Sequence, residues 1–163
     1  MAEVLDLGPA IGSNIAFLGE RIGCKIHVKD LYADLERHAR EEATLSCDHG
    51  ADSLDAVLCW DIFDYLAAPA AAALAGTLVR ALRPGGALLA LFGSGNTADR
   101  SYTRYVIEDD SHLRYRSVPA ACGRQRSLQN RDILTLFGGL ELFDSVLLKS
   151  GVREFVFRKP GEP

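Results

Sequence analysis

Four short apolar runs restrict what this chain can fold into: VLDL from Val4, KIHV from Lys25, LDAVLCW from Leu54 and ALLALF from Ala87. Stretches of helical spacing separate them. From Ser13 to Arg21 the apolar Ile15, Phe17 and Leu18, continued by Ile22, largely share one face, and Gly23 stops the pattern. LYADLERHAREEA reads as a polar-faced helix from Leu31 to Ala43. Pro69 suits a first helical turn, Leu74, Leu78, Val79 and Leu82 continue at helical spacing, and Pro84, Gly85 and Gly86 end that helix structurally. Strand and helix in alternation predict a parallel sheet with helical crossovers. The near-continuous apolarity from Leu54 predicts a central strand covered on both faces.

The end of the chain changes character. SLQNRDILTLFGG reads as a capped helix, and LELFDSVLLKSGVREFVFRKP as two strands joined at Lys149, Ser150 and Gly151, a link short enough to require an antiparallel pair. The expected architecture is therefore α/β: a three-layer, doubly wound, mostly parallel sheet with a C-terminal antiparallel hairpin. Only residues 31–53 separate the second apolar run from the third, room for one crossover, so a further strand near Thr44 to Cys47 should be rudimentary or missing. Residues 93–126 fit neither period and read as an insertion with partial strand character.

At 163 residues, 48% apolar and 25% charged, the chain is expected to form one globular domain over 1–163. No apolar run reaches membrane-spanning length and no signal peptide is evident, which points to the cytoplasm and away from a membrane partner. Cys24, Cys47, Cys59 and Cys122 form no C-x-x-C pair and read as buried thiols. Only Cys47 and His49 are close neighbours among potential ligands, so no metal site is expected. The net charge of −4 is uneven: Arg100 to Arg131 holds seven arginines against Glu108, Asp109 and Asp110, a segment of +4 in a remainder of −8. Such a segment suits an anionic substrate or partner, or is a solvated arginine face.

The first strand leads through Asp6 into a loop bounded by Gly8 and Gly12. This is the general nucleotide-binding layout, but the glycine spacing is wrong for G-x-G-x-x-G. Asp6 would also repel a pyrophosphate while attracting an ammonium or sulfonium group.

In their order, VLDLGPAIG, KIHVKD, LDAVLCWDIFDYL and ALRPGGALLALF resemble the class I S-adenosylmethionine-dependent methyltransferases over residues 3–92, and the terminal helix and hairpin resemble that family's ending. The family's D/E-x-G-x-G-x-G here reads Asp6, Gly8, Ala10, Gly12, with alanine for the middle glycine. The resemblance implies S-adenosylmethionine as cofactor and S-adenosylhomocysteine as product. It places Asp6, Gly8, Pro9, Ala10 and Gly12 around the methionine part and adenosine, Asp30 on the ribose hydroxyls, and Leu31 and Tyr32 beside the adenine. Cys47 and Asp48 stand in for a shortened adenine segment, and Trp60 and Asp61 face the methionine end and acceptor. Asp30 also stands where a helix-capping aspartate belongs, and Trp60 where a core residue would serve.

The same resemblance implies direct displacement at the methyl carbon, with insertion 93–126 on the acceptor side. No catalytic residue is assigned; His49, Tyr102, Tyr105 and His112 are proton-acceptor candidates by location alone. CWDIF lacks the N/D-P-P-Y/F pattern of adenine or glutamine methylation, and no Pro-Cys pair suggests cytosine chemistry, so the acceptor stays unidentified and nucleic acid is disfavoured. The chain starts at its first strand, without the helices that cover the cofactor in many relatives. The expected cleft is open, completed by a second copy or partner protein, or it belongs to a longer polypeptide. The rival reading is a non-catalytic S-adenosylmethionine-binding regulatory or partner-binding module.

Overall fold

The computed structural model describes residues 1–37, 45, 47–93, 99–125 and 127–161. The first strand, β1 (Glu3–Asp6), is followed by a helix α1 (Gly12–Ala16) that widens into π-type turns over Phe17–Ile22, and then by β2 (Lys25–Val28) and α2 (Leu31–Arg37). Next come β3 (Leu54–Trp60), a 3-10 turn (Ile62–Tyr65), α3 (Ala68–Ala81) and β4 (Leu82–Phe92). A hairpin of β5 (Ser101–Ile107) and β6 (Leu113–Pro119) precedes α4 (Asn130–Leu136), β7 (Glu141–Leu147) and β8 (Arg153–Arg158).

Six strands form one sheet in the order β2-β1-β3-β4-β8-β7. The pairs β1–β2, β1–β3 and β3–β4 are parallel, while β4–β8 and β7–β8 are antiparallel. The α/β, mostly parallel sheet with a C-terminal hairpin at one edge is thus as the apolar runs predict. In α3, Ala71, Leu74, Ala75, Leu78 and Ala81 are buried at helical spacing, so one stripe faces the core. In the same core Phe63 packs edge-on against Phe137 at a centroid distance of 5.1 Å, and Phe137 packs at a tilt against Phe157 at 4.9 Å.

Several boundaries differ from expectation. The apolar face read from Ile15 to Ile22 does not bury: Ile15 and Ile22 are exposed and Asn14 is the buried residue of α1. The reason is that α1 is held from its polar side, by contacts described below. The strand expected from Ala87 begins at Leu82, because Leu54 pairs with Leu82 and Ala56 with Ala87, leaving Arg83 to Gly86 as a bulge opposite Asp55. Gly85 supplies the left-handed turn this bulge needs, at φ 78°. The helix expected to reach Ala43 is described to Arg37; residues 38–44 lie outside the described residues, as does Ser46. Among the described residues 45 and 47–53, no strand forms. All four cysteines are free, with Cys47 and Cys59 buried and Cys24 and Cys122 only partly so.

Candidate functional site

The chain winds from β1 outward to β2 and then back past β1 to β3, so the switch in strand order lies between β1 and β3. A crevice outside the carboxyl ends of the strands is the natural ligand position at such a point. Asp6 closes β1, Asp30 follows β2 and Asp61 follows β3.

Asp6 is 1% exposed, and its Oδ1 accepts the Gly8 backbone N–H at 2.8 Å and the Trp60 indole N–H at 2.7 Å. Burial raises its pKa, against the pull of those two donors, and the charge of Asp30 adds to the rise. A Cβ on Gly8 would lie 2.8 Å from Trp60 Cδ1, so the indole occupies the bare face of this glycine. Trp60 itself sits at φ 50°, a strained conformation for a bulky side chain, and its ring stacks on Tyr105 of β5 at 5.4 Å and 6°.

Beside this stack lies a second buried carboxylate group. Asp61 is fully buried, accepts the hydroxyls of Tyr32 at 2.5 Å and Tyr105 at 3.2 Å, and faces Arg124 Nη2 at 3.6 Å. Burial raises its pKa, while Tyr32 and Arg124 lower it. Asp64 accepts the Gly93 N–H at 2.8 Å and lies 3.4 Å from Arg124 Nε. Burial pushes the Asp64 carboxyl up to about 7, with the Asp61 charge adding to the rise. Among the described residues, Asp64 Oδ1 and Arg124 Nε are buried without a hydrogen-bond partner. The guanidinium lies so close to the backbone that a Cβ on Gly93 would sit 2.9 Å from its Cζ.

Asn14 joins the hairpin to the first loop. Its Nδ2 donates to Tyr105 O at 2.9 Å and its Oδ1 accepts the Ile107 N–H at 2.8 Å. The space between Pro9, Asn14, Tyr32, Trp60 and Tyr105 is reduced to about 10 Å³, the room of a single water.

The structure therefore gathers Asp6, Gly8, Trp60, Asp61 and Tyr32 at one place, but as a packed, mutually bonded group. The expected open cleft is instead covered by the chain's own insertion, which folds back as β5–β6 over the strand ends. Pro9 and Asp30 border a neighbouring cavity of about 180 Å³, together with Glu36, Tyr102 and Arg104. Asp30 Oδ1 accepts the Ala33 N–H at 2.9 Å, the capping role, and its side chain stays partly exposed on the cavity rim. Leu31 is buried in the core and Tyr32 packs edge-on against Tyr65 and Tyr102. Ala10 and Gly12 are exposed on the loop, and a Cβ at Gly12 would meet open space. Asp48 opens onto a different cavity of about 370 Å³, with His27, Lys29, Cys47 and His49, that shares no residue with the Asp30 cavity. Among the described residues no three His, Cys, Asp or Glu side chains converge as metal ligands.

Asn14, Asp64 and Arg124 escape a reading of the sequence. Asn14 and Arg124 act on partners dozens of residues away, and Asp64 joins them only because the 3-10 turn brings it beside Asp61.

No family model and no curated protein matches the chain. Solved structures do. An S-adenosylmethionine-dependent methyltransferase of Methanosarcina mazei aligns over 99% of this chain and 93% of its own, at TM-score 0.60 and 12% identity. The 1,6-didemethyltoxoflavin-N1-methyltransferase of Burkholderia thailandensis, solved with 1,6-didemethyltoxoflavin and S-adenosylhomocysteine bound, aligns over 98% and 71%, at 0.62 and 19%. A TehB-like S-adenosylmethionine-dependent methyltransferase of Corynebacterium glutamicum aligns over 97% and 80%, at 0.61 and 18%. The fold of this chain is that of the class I S-adenosylmethionine-dependent methyltransferases.

Proposed function

We propose that this chain binds S-adenosylmethionine and transfers its methyl group to an anionic acceptor. One observation carries the reading: in this fold, carboxylates stand at the ends of three adjacent parallel strands, Asp6, Asp30 and Asp61, around the glycine loop at the switch in strand order. Three acids there, against Lys29, which is paired with Asp34 at 3.3 Å, and Arg124, which faces Asp61, favour a cationic nucleoside over a diphosphate. When bound, the cofactor supplies a methyl group on a positively charged sulfur. Asp30 and Pro9 at the open cavity suit the nucleoside end, and Asp6, Gly8 and Asp61 suit the amino-acid end in kind. In space they do not, since Trp60 fills the bare face of Gly8 and Tyr105 lies over Trp60.

The anionic acceptor rests on the hairpin. Arg104 lies directly opposite Arg116 across β5 and β6, both exposed, while Arg114 two residues on is paired with Glu108 at 3.1 Å. Like charges paired across strands weaken a hairpin, so their presence there favours a ligand that neutralises them. This supports an acceptor side formed by the insertion.

Calorimetry on the whole chain tests the cofactor. The expected result is binding of S-adenosylmethionine and S-adenosylhomocysteine but not NAD, with affinity lost in Asp30→Ala. Binding of NAD without adenosylhomocysteine overturns the proposal. Methyl transfer from labelled donor to cell extract separates an enzyme from a non-catalytic binding module.

A further inference from the structure

We propose, on the premise that S-adenosylmethionine is the donor, that the β5–β6 hairpin and Arg124 are an internal plug: they hold the donor crevice shut and must withdraw before the donor's amino-acid end can enter. Three independent features carry this. The first is occupancy. Tyr105 stacks on the indole that covers Gly8, its hydroxyl takes one acceptor position of Asp61, and the guanidinium of Arg124 sets a positive charge against Asp61 and Asp64. The plug thus provides an aromatic surface, a donor and a cation, which are the properties the acids would otherwise meet in a sulfonium or ammonium ligand. Its charge makes the exchange of plug for ligand nearly neutral in electrostatic terms.

The second feature is attachment. The hairpin is a sheet of its own and shares no ladder with the six-stranded sheet. Its ties are separable ones: the two bonds of Asn14, the Tyr65 hydroxyl to Ser101 O at 2.8 Å, the Tyr105 hydroxyl, the Ala121 N–H to Glu36 at 2.7 Å, the Arg21–Asp110 ion pair at 3.1 Å, the Gln125 N–H to Asp64 O at 2.7 Å beside Arg124, and the packing of Tyr102 and Tyr105 against the core. Withdrawal breaks these and leaves every strand pairing of the main sheet intact. Two-stranded hairpins are marginal alone, so this one depends on what it docks against.

The third feature is the cost of the docked state. It keeps Trp60 at a positive φ and leaves Asp64 Oδ1 and Arg124 Nε buried without hydrogen bonds among the described residues. Both weaken the closed arrangement and lower the work needed to open it.

Trp60 is the only tryptophan of the chain, so its emission reports directly on the Tyr105 contact. The test titrates S-adenosylhomocysteine into the whole wild-type chain, Asn14→Ala and Tyr105→Ala, following Trp60 fluorescence and calorimetric affinity together. Asn14→Ala cuts two latch bonds while keeping all the aromatic rings, and far-UV circular dichroism checks that each variant is folded. The plug predicts a change in Trp60 emission as wild type saturates. It also predicts affinity at least about tenfold tighter in both variants, because less free energy is spent on opening. Trypsin should cut the Arg100 to Arg116 region faster in the liganded wild type. Wild-type binding with unchanged Trp60 emission and equal affinity in all three proteins overturns the plug and leaves the donor reading standing. If none of the three binds adenosylhomocysteine, the donor reading falls and the plug with it.

Discussion

A carboxyl that titrates near neutrality sits beside the crevice, and its direction of effect is definite. The folded pKa of Asp64 is raised to about 7, so the native state holds this proton more tightly than the unfolded chain does. The resulting stability is complete below the ordinary carboxylate range and is lost as pH rises through 7. Burial shifts Asp6 and Asp61 in the same direction. Wild type should therefore melt higher at pH 5.5 than at pH 8, and Asp64→Asn should shrink that difference; an unchanged difference in thermal melts refutes the assignment. Gly8→Ala tests the close approach of the indole. Its Cβ would meet Trp60 Cδ1 at 2.8 Å, so a loss of about 1–3 kcal/mol in denaturant unfolding is expected. At this scale Asp6, Gly8 and Asp30 were legible because a local spacing announces them. Arg124 and Asn14 were not, because nothing nearby in sequence marks a residue whose partner lies so far along the chain.

The elements were legible where burial leaves a continuous or regularly spaced apolar run and obscure where it does not. β3 and α3 bury a continuous or regularly spaced set, and their runs stand out. In β5, Tyr102 and Tyr105 point to opposite faces and both are buried, so the two-residue period that identifies a strand disappears. β4 was foreseen five residues short because its start passes through the Arg83 to Gly86 bulge, which no apolar residue marks. β7 has a different property. Every one of its residues is exposed, it forms the outer edge of the sheet, and Phe143 and Leu147 are 63% and 72% exposed. An apolar edge of this kind invites pairing between molecules. Phe143→Lys combined with Leu147→Lys should reduce concentration-dependent association in sedimentation, with a melting temperature within about 4 °C of wild type.

For the whole molecule, the mostly parallel sheet with its edge hairpin followed from the alternation of strands and helices, and the surface on which the insertion settles did not. Chain order says only that residues 93–126 leave β4 and return before α4; which surface they settle on depends on tyrosine stacking and buried charge that no periodicity encodes. Because the hairpin lies outside the main ladder, its amides should exchange with deuterium well before those of β3 and β4. Equal protection in mass spectrometry of fragments from the two regions contradicts a separable hairpin. This separateness also bears on how such a chain changes over generations. A segment that borrows no rungs from the scaffold can be shortened, swapped or rewritten without the scaffold's consent, so socket and stopper are free to diverge at different speeds.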